Sequence, residues 1–184
     1  MIPLPLKTIH PLGFLAILLL TSACAGTPPL TLPSAGDLQI EATQAMRIES
    51  QGHTQEAIVQ LALLPTQMQA IATTPQGQTL IKASLDNQGK ILAETPPWMR
   101  GRGPDPATIL RDIQFALWPA DALRAQAWEV KESPQNDTRV ISLNHIEWAR
   151  IDYEGSRKAP QHIKIMRSNG LYTIHLKTLE WIPL

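Results

Sequence analysis

The 184-residue chain has one cysteine, two phenylalanines, two tyrosines and no excess of either charge, with 16 Lys+Arg against 16 Asp+Glu. A single thiol excludes an intramolecular disulfide, so the fold rests on packing even in an oxidising compartment. Balanced charge removes the electrostatic reason to expect a nucleic-acid partner, since such partners are held chiefly through their phosphates. No apolar run reaches the roughly 20 residues that span a bilayer. The segment from Leu12 to Leu20 is uncharged but only about nine residues long.

That short run follows Lys7 and ends at Leu20-Thr21-Ser22-Ala23-Cys24. A positive start, a short apolar core and small residues at its end describe a signal peptide over residues 1–23. The sole cysteine stands where a bacterial lipoprotein carries its acylated thiol, so Cys24 is the expected lipidation site and the first residue of the mature chain. Ala23-Cys24-Ala25 also satisfies the small-x-small rule of ordinary signal peptidase, which would cut before Gly26. Acyl chains at Cys24 would hold the protein on a membrane, since each buried methylene contributes about 0.8 kcal/mol. With Ala25 rather than aspartate after the cysteine, the expected place is the periplasmic face of a Gram-negative outer membrane. The three prolines between Ala25 and Gly36 make residues 24–36 an extended tether.

Residues 37–184 have the length of one domain. Leu38, Ile40, Ala42, Met46 and Ile48 alternate with polar residues, and Val59, Leu61 and Leu63 repeat the pattern after Gly52. Further runs at Met68 to Thr73, Thr79 to Leu85 and Ile91 to Thr95, separated by Pro75-Gln76-Gly77 and Asn87-Gln88-Gly89, predict an antiparallel meander. The middle changes period. Asp105-Pro106 reads as an N-cap followed by proline at the first helical position, and Ile109, Leu110, Ile113 and Leu117 fall at helical spacing. Pro119 ends that helix, and Pro119 to Ala127 can carry a second with Leu123 inward.

Beyond Trp128, Thr138 to Leu143 and Ile146 to Glu154 read as strands, and Ile163 to Ser168 and Leu171 to Leu179 flank Asn169-Gly170 as a hairpin. A type I′ turn there pairs Ser168 with Leu171. Ile163, Ile165, Tyr172, Ile174 and Leu176 then share one face, with His162, Lys164, His175 and Lys177 on the other. The expected fold is mainly β with inserted helices: a curved antiparallel sheet with the helices packed in its concave face.

Three blocks carry a resemblance: Trp118-Pro119-Ala120-Asp121-Ala122-Leu123-Arg124, Ile151-Asp152-Tyr153, and Asn169-Gly170-Leu171-Tyr172-Thr173-Ile174-His175-Leu176-Lys177. They resemble a lipoprotein family catalogued as domain of unknown function 3261, whose members often accompany genes for aryl polyene pigments. More distantly, Thr74-Pro75-Gln76-Gly77-Gln78 and the last hairpin ending in Trp181 are similar to LolB, the outer-membrane receptor for lipoproteins. The resemblance implies a half-open β-barrel that holds acyl chains, with a lipid, a lipoprotein acyl chain or an aryl polyene lipid as cargo and a periplasmic LolA-like carrier as partner. LolB places a membrane-inserting leucine where this chain has Gln76, so its delivery step does not carry over directly.

Ile48, Leu61, Leu80, Ile113, Leu117, Ile165 and Ile174 are the candidate ligand-binding side chains, drawn from the first strands, the helical segment and the last hairpin. Alternation alone describes a packed core equally well. Trp98 and Met99, beside Arg100 and Arg102, have the composition of a membrane-contacting tip or of a loop folded back on the domain. No catalytic or metal site and no cofactor is expected. His145 with Asp152 and Ser142 or Ser156 lacks a nucleophile-elbow motif, and His162 with His175 lacks a third ligand. Two other classes of function stay open: an envelope scaffold with a filled core, and a hydrolase with a serine or histidine deep in a cleft.

Overall fold

The structure is a computed structural model describing residues 38–184 apart from 65, 87–88, 100–102, 134 and 136. The expected signal peptide, Cys24 and the tether lie outside the described residues, as do Arg100 and Arg102. Five strands come first: β1 (Ile40–Ser50), β2 (His53–Leu64), β3 (Gln67–Thr73), β4 (Thr79–Asp86) and β5 (Ile91–Glu94). A 3-10 turn at Pro97–Met99 precedes helices α1 (Pro106–Leu117) and α2 (Ala120–Arg124). Five more strands follow: β6 (Glu129–Ser133), β7 (Thr138–Leu143), β8 (Ile146–Ser156), β9 (Ala159–Arg167) and β10 (Thr173–Pro183).

All ten strands form one antiparallel sheet in the order β5-β4-β3-β2-β1-β10-β9-β8-β7-β6. Two five-stranded meanders are thus joined where β1 pairs with β10, and the sheet stays open between its edges β5 and β6. The helical segment connects those two edges and packs on one face. Both edges are short, and β6 carries Lys131 and Glu132, which discourage pairing with a further strand.

Alternation fills one face of the sheet. Ile40, Ala42, Met46 and Ile48 in β1, Val59, Leu61 and Leu63 in β2, and Ile163, Ile165, Ile174 and Leu176 in β9 and β10 are all buried. Against them lies α1, whose Ile109, Leu110, Ile113 and Leu117 are also buried. Each large aliphatic side chain so enclosed contributes about 1.5–3 kcal/mol of transfer free energy. Asp105 caps α1 by accepting from the Thr108 N–H at 3.1 Å and its hydroxyl at 3.0 Å, and Pro106 occupies the first turn, where its missing N–H costs nothing. The expected arrangement, helices on the concave side of a curved antiparallel sheet, is the one observed.

The last hairpin has the expected register, with Ile165 opposite Ile174 and Ile163 opposite Leu176. Its turn differs from expectation. Gly170 has φ +67° and donates to the Arg167 carbonyl, but Asn169 does not join it at positive φ, so the turn is not type I′. Positive φ at both central positions, the type I′ signature, occurs instead at Gln51-Gly52 and Asn144-His145. One strand was not anticipated: β6, with Val130 its one buried apolar residue, has too little alternation to read.

Candidate functional site

The concave face is not completely filled. Between the start of α1 and strands β1 to β4 runs a cavity of about 370 Å³, lined by Met46, Ile48, Ala57, Ala72, Leu80, Ile81, Met99, Pro106 and Ile109, with Gln55, Glu56 and Asp105 at polar positions. The alanines explain the space: at Ala57 and Ala72 a methyl stands where larger residues would meet the helix. A thin apolar seam continues beneath it, past Val59, Ala70, Ala83 and Ile113. Toward the turns the groove opens into a second chamber of about 820 Å³, which shares Ile48, Gln55, Gly103, Pro104 and Asp105 with the first. Its other walls carry the polar groups of Ser50, His53, Thr54, Thr108, Arg167 and Tyr172 beside the apolar Leu171. Volumes of this order match ordinary small-molecule sites.

Two polar clasps hold α1 on the sheet. At its C-terminal end, Arg139 donates to the carbonyls of Phe115 (2.8 Å) and Trp118 (2.7 Å) and to Glu132 (2.7 and 3.0 Å), while the Tyr153 hydroxyl donates to the Ala116 carbonyl at 2.8 Å. A cation there satisfies orphan carbonyls and opposes the negative end of the helix dipole. Nearer the start, the fully buried Asp112 accepts from Arg167 Nη1 at 2.9 Å and from the Tyr172 hydroxyl. Burial pushes the Asp112 carboxyl above its ordinary value, more strongly than Arg167 and Tyr172 draw it down. Burial and the neighbouring Asp112 push the Tyr172 hydroxyl up as well. The Arg167 guanidinium lies 4.3 Å over the Trp148 ring, which meets Trp128 edge-on, and Trp128 meets Phe115 in the same manner.

Of the side chains expected to bind ligand, Ile48 and Leu80 line the groove and Ile113 lines the seam below it. Leu61, Leu117, Ile165 and Ile174 do not reach the groove; they are buried in the core between sheet and helix. The helix covers the middle of the sheet at those positions, and among the described residues the groove opens at the helix's N-terminal end. Met99 faces the groove, and Trp98 is 43% exposed. Met46 and Ile109 also line the groove, although the sequence marks them only as inward-facing, and Ala57, Ala72, Ile81, Asp112, Arg139 and Arg167 were not singled out there as site residues. For the two arginines a signal existed: Arg167 continues the inward parity of Ile163 and Ile165, and Arg139 that of Ile141.

His145 pairs with Glu129 at 3.1 Å, whereas Asp152 sits at the opposite end of the β7–β8 hairpin and accepts from the Thr138 hydroxyl. These two residues are therefore not brought together. His162 and His175 stack on the outward face with ring centroids 6.0 Å apart, each near a glutamate. Among the described residues, no group of three or more His, Cys, Asp or Glu side chains is placed to hold a metal.

The family model described as Protein of unknown function (DUF3261) matches residues 41–180. The chain belongs to this family. Comparison with curated proteins gives no match for this DUF3261 protein. Among solved structures, it is similar to a chain described as an outer membrane lipoprotein-sorting protein domain from Vibrio parahaemolyticus. The two are 7% identical over 79% of this chain and 85% of the other, with a TM-score of 0.41. At that score the likeness is too slight to bear on function.

Proposed function

We propose that this DUF3261 protein is a lipoprotein of the outer membrane, anchored through Cys24 on the periplasmic side, that binds or transfers a hydrophobic cargo and catalyses no reaction. The observation that carries the reading is the groove between α1 and β1 to β4, whose walls are largely apolar and whose volume of about 370 Å³ lies where Ala57 and Ala72 leave the space under the helix unfilled. An acyl chain or polyene in that space would cover the apolar surface that helix and sheet leave open. The attachment proposed is the acyl chains on Cys24, the sole cysteine, at the end of the short apolar run; among the described residues no helix is long and apolar enough to cross a membrane.

Native mass spectrometry of the full chain, extracted from membranes and stripped of detergent in the gas phase, tests cargo binding. A co-purifying mass of a lipid or polyene is expected. A bare protein that also fails to bind a fluorescent fatty acid at micromolar concentration would overturn the assignment. The anchor is tested separately: Cys24→Ser should release the protein from membranes and abolish palmitate labelling, and undiminished labelling would refute it.

A further inference from the structure

The chamber beside the groove contains a cation at a position where the strand alternation places core residues. Arg167 has the inward parity of Ile163 and Ile165, its side chain is 7% exposed, and it forms part of the chamber wall together with Tyr172 and Thr108. A guanidinium carries five N–H donors and no acceptor. The two buried arginines use theirs differently. Every guanidinium nitrogen of Arg139 has an acceptor, Glu132 or the carbonyls of Phe115, Ala116 and Trp118, whereas Arg167 has Asp112 as its hydrogen-bonded partner and an Nε that is buried with no acceptor among the described residues. Trp148 beneath the guanidinium fixes its plane, so spare donors are held in place rather than free to turn to solvent. The Asp105 carboxylate, also on the wall, is engaged in capping Thr108. A buried cation with unused donors is costly unless an acceptor meets it.

The apolar groove and this chamber share five residues, so one molecule can occupy both. We propose that the site takes an acidic single-chain amphiphile lengthwise, with its tail on Met46, Ile48, Leu80 and Ile109 and its carboxylate or phosphate head at Arg167. The inference rests on the cargo-binding reading above and adds the chemistry of the head.

The test uses the full chain in dodecylmaltoside with a palmitate analogue carrying a diazirine at its tail end, with crosslinks mapped by peptide mass spectrometry. Hexadecanoate, hexadecyl phosphate and hexadecanol, which share one chain and differ in the head, then compete with it. Crosslinks should fall on the groove segments around Leu80, Met99 and Ile109. At least one acid should displace the probe about tenfold more effectively than hexadecanol, the ratio expected for a charge-assisted hydrogen bond; the better acid identifies the head. Arg167→Met should remove that advantage and leave hexadecanol unchanged. Because Arg167→Met also strands Asp112, Thr54→Glu provides a second test. It places a carboxylate on the chamber wall at an exposed position, and should lower competition by the acids alone.

Hexadecanol competing as well as both acids, or an acid advantage that survives Thr54→Glu and a folded Arg167→Met, overturns the head assignment and leaves tail binding intact. Absence of groove crosslinks overturns both.

Discussion

Replacing Arg139 by methionine keeps the aliphatic stem and removes only the guanidinium, so it isolates the clasp at the end of α1. The arginine side chain is 7% exposed, and the change strands the Phe115 and Trp118 carbonyls, which it meets at 2.8 and 2.7 Å. Each buried acceptor left without a donor costs about 1–3 kcal/mol. The Ala116 carbonyl keeps the Tyr153 hydroxyl, and Glu132 keeps Arg157 at 3.0 Å, so neither of these is stranded. The loss should therefore fall near the lower end of the range for breaking a buried ion pair, about 3 kcal/mol. For a domain of this size that lowers the melting temperature by about 6 to 12 °C. Circular dichroism melts and urea titrations of wild type, Arg139→Met and Arg139→Lys measure it, with lysine intermediate because an ammonium cannot span carboxylate and carbonyls together. A loss below about 1 kcal/mol for methionine, within the range of a surface ion pair, would show that the clasp does not hold the helix.

Asp112 gives an inverted pH dependence. Its folded value lies above the unfolded value of 3.8, so the folded chain binds the proton more tightly. Its contribution is full below that pH and is lost as pH rises through the folded value. The stability of wild type relative to Asp112→Asn should accordingly shrink as pH rises above the ordinary carboxyl range, and a difference that grows instead would refute the direction. Leu80→Glu, at a half-buried groove position, should weaken binding of a fluorescent fatty acid about tenfold or more while shifting the melting temperature by only a few degrees, since the carboxylate displaces the tail but retains access to water. Unchanged affinity would remove the tail from that wall. Asp105→Ala deletes the cap at the groove's edge and should cost about 1 kcal/mol by urea titration, with no loss if Thr108 finds another acceptor.

Local physics was legible in the chain. Alternation at Ile40 to Ile48 and Ile163 to Leu176 has a period of two and cannot slip by one residue without turning a whole face into water, so strands, faces and hairpin register follow from the sequence. Asp105-Pro106 and Pro119 likewise fix the limits of the α1 segment through caps and a missing N–H. The turn at Asn169-Gly170 was misread because a four-residue loop with glycine alone at positive φ preserves the same register as a type I′ turn. Strand β6 was invisible because an edge strand needs few apolar residues.

The site depended on what only the tertiary structure decides. Apolar parity states that a residue faces inward, not whether the helix lies over it: Ile165 and Ile174 are covered, while Ile48 and Leu80 meet open space. Likewise, Arg139 and Arg167 both break the apolar pattern in sequence, but one has an acceptor at every guanidinium nitrogen, at the end of a helix and on β6, and the other keeps an unpaired Nε beside a cavity. That difference arises from where α1 crosses the sheet, a matter of long-range packing that no local pattern encodes.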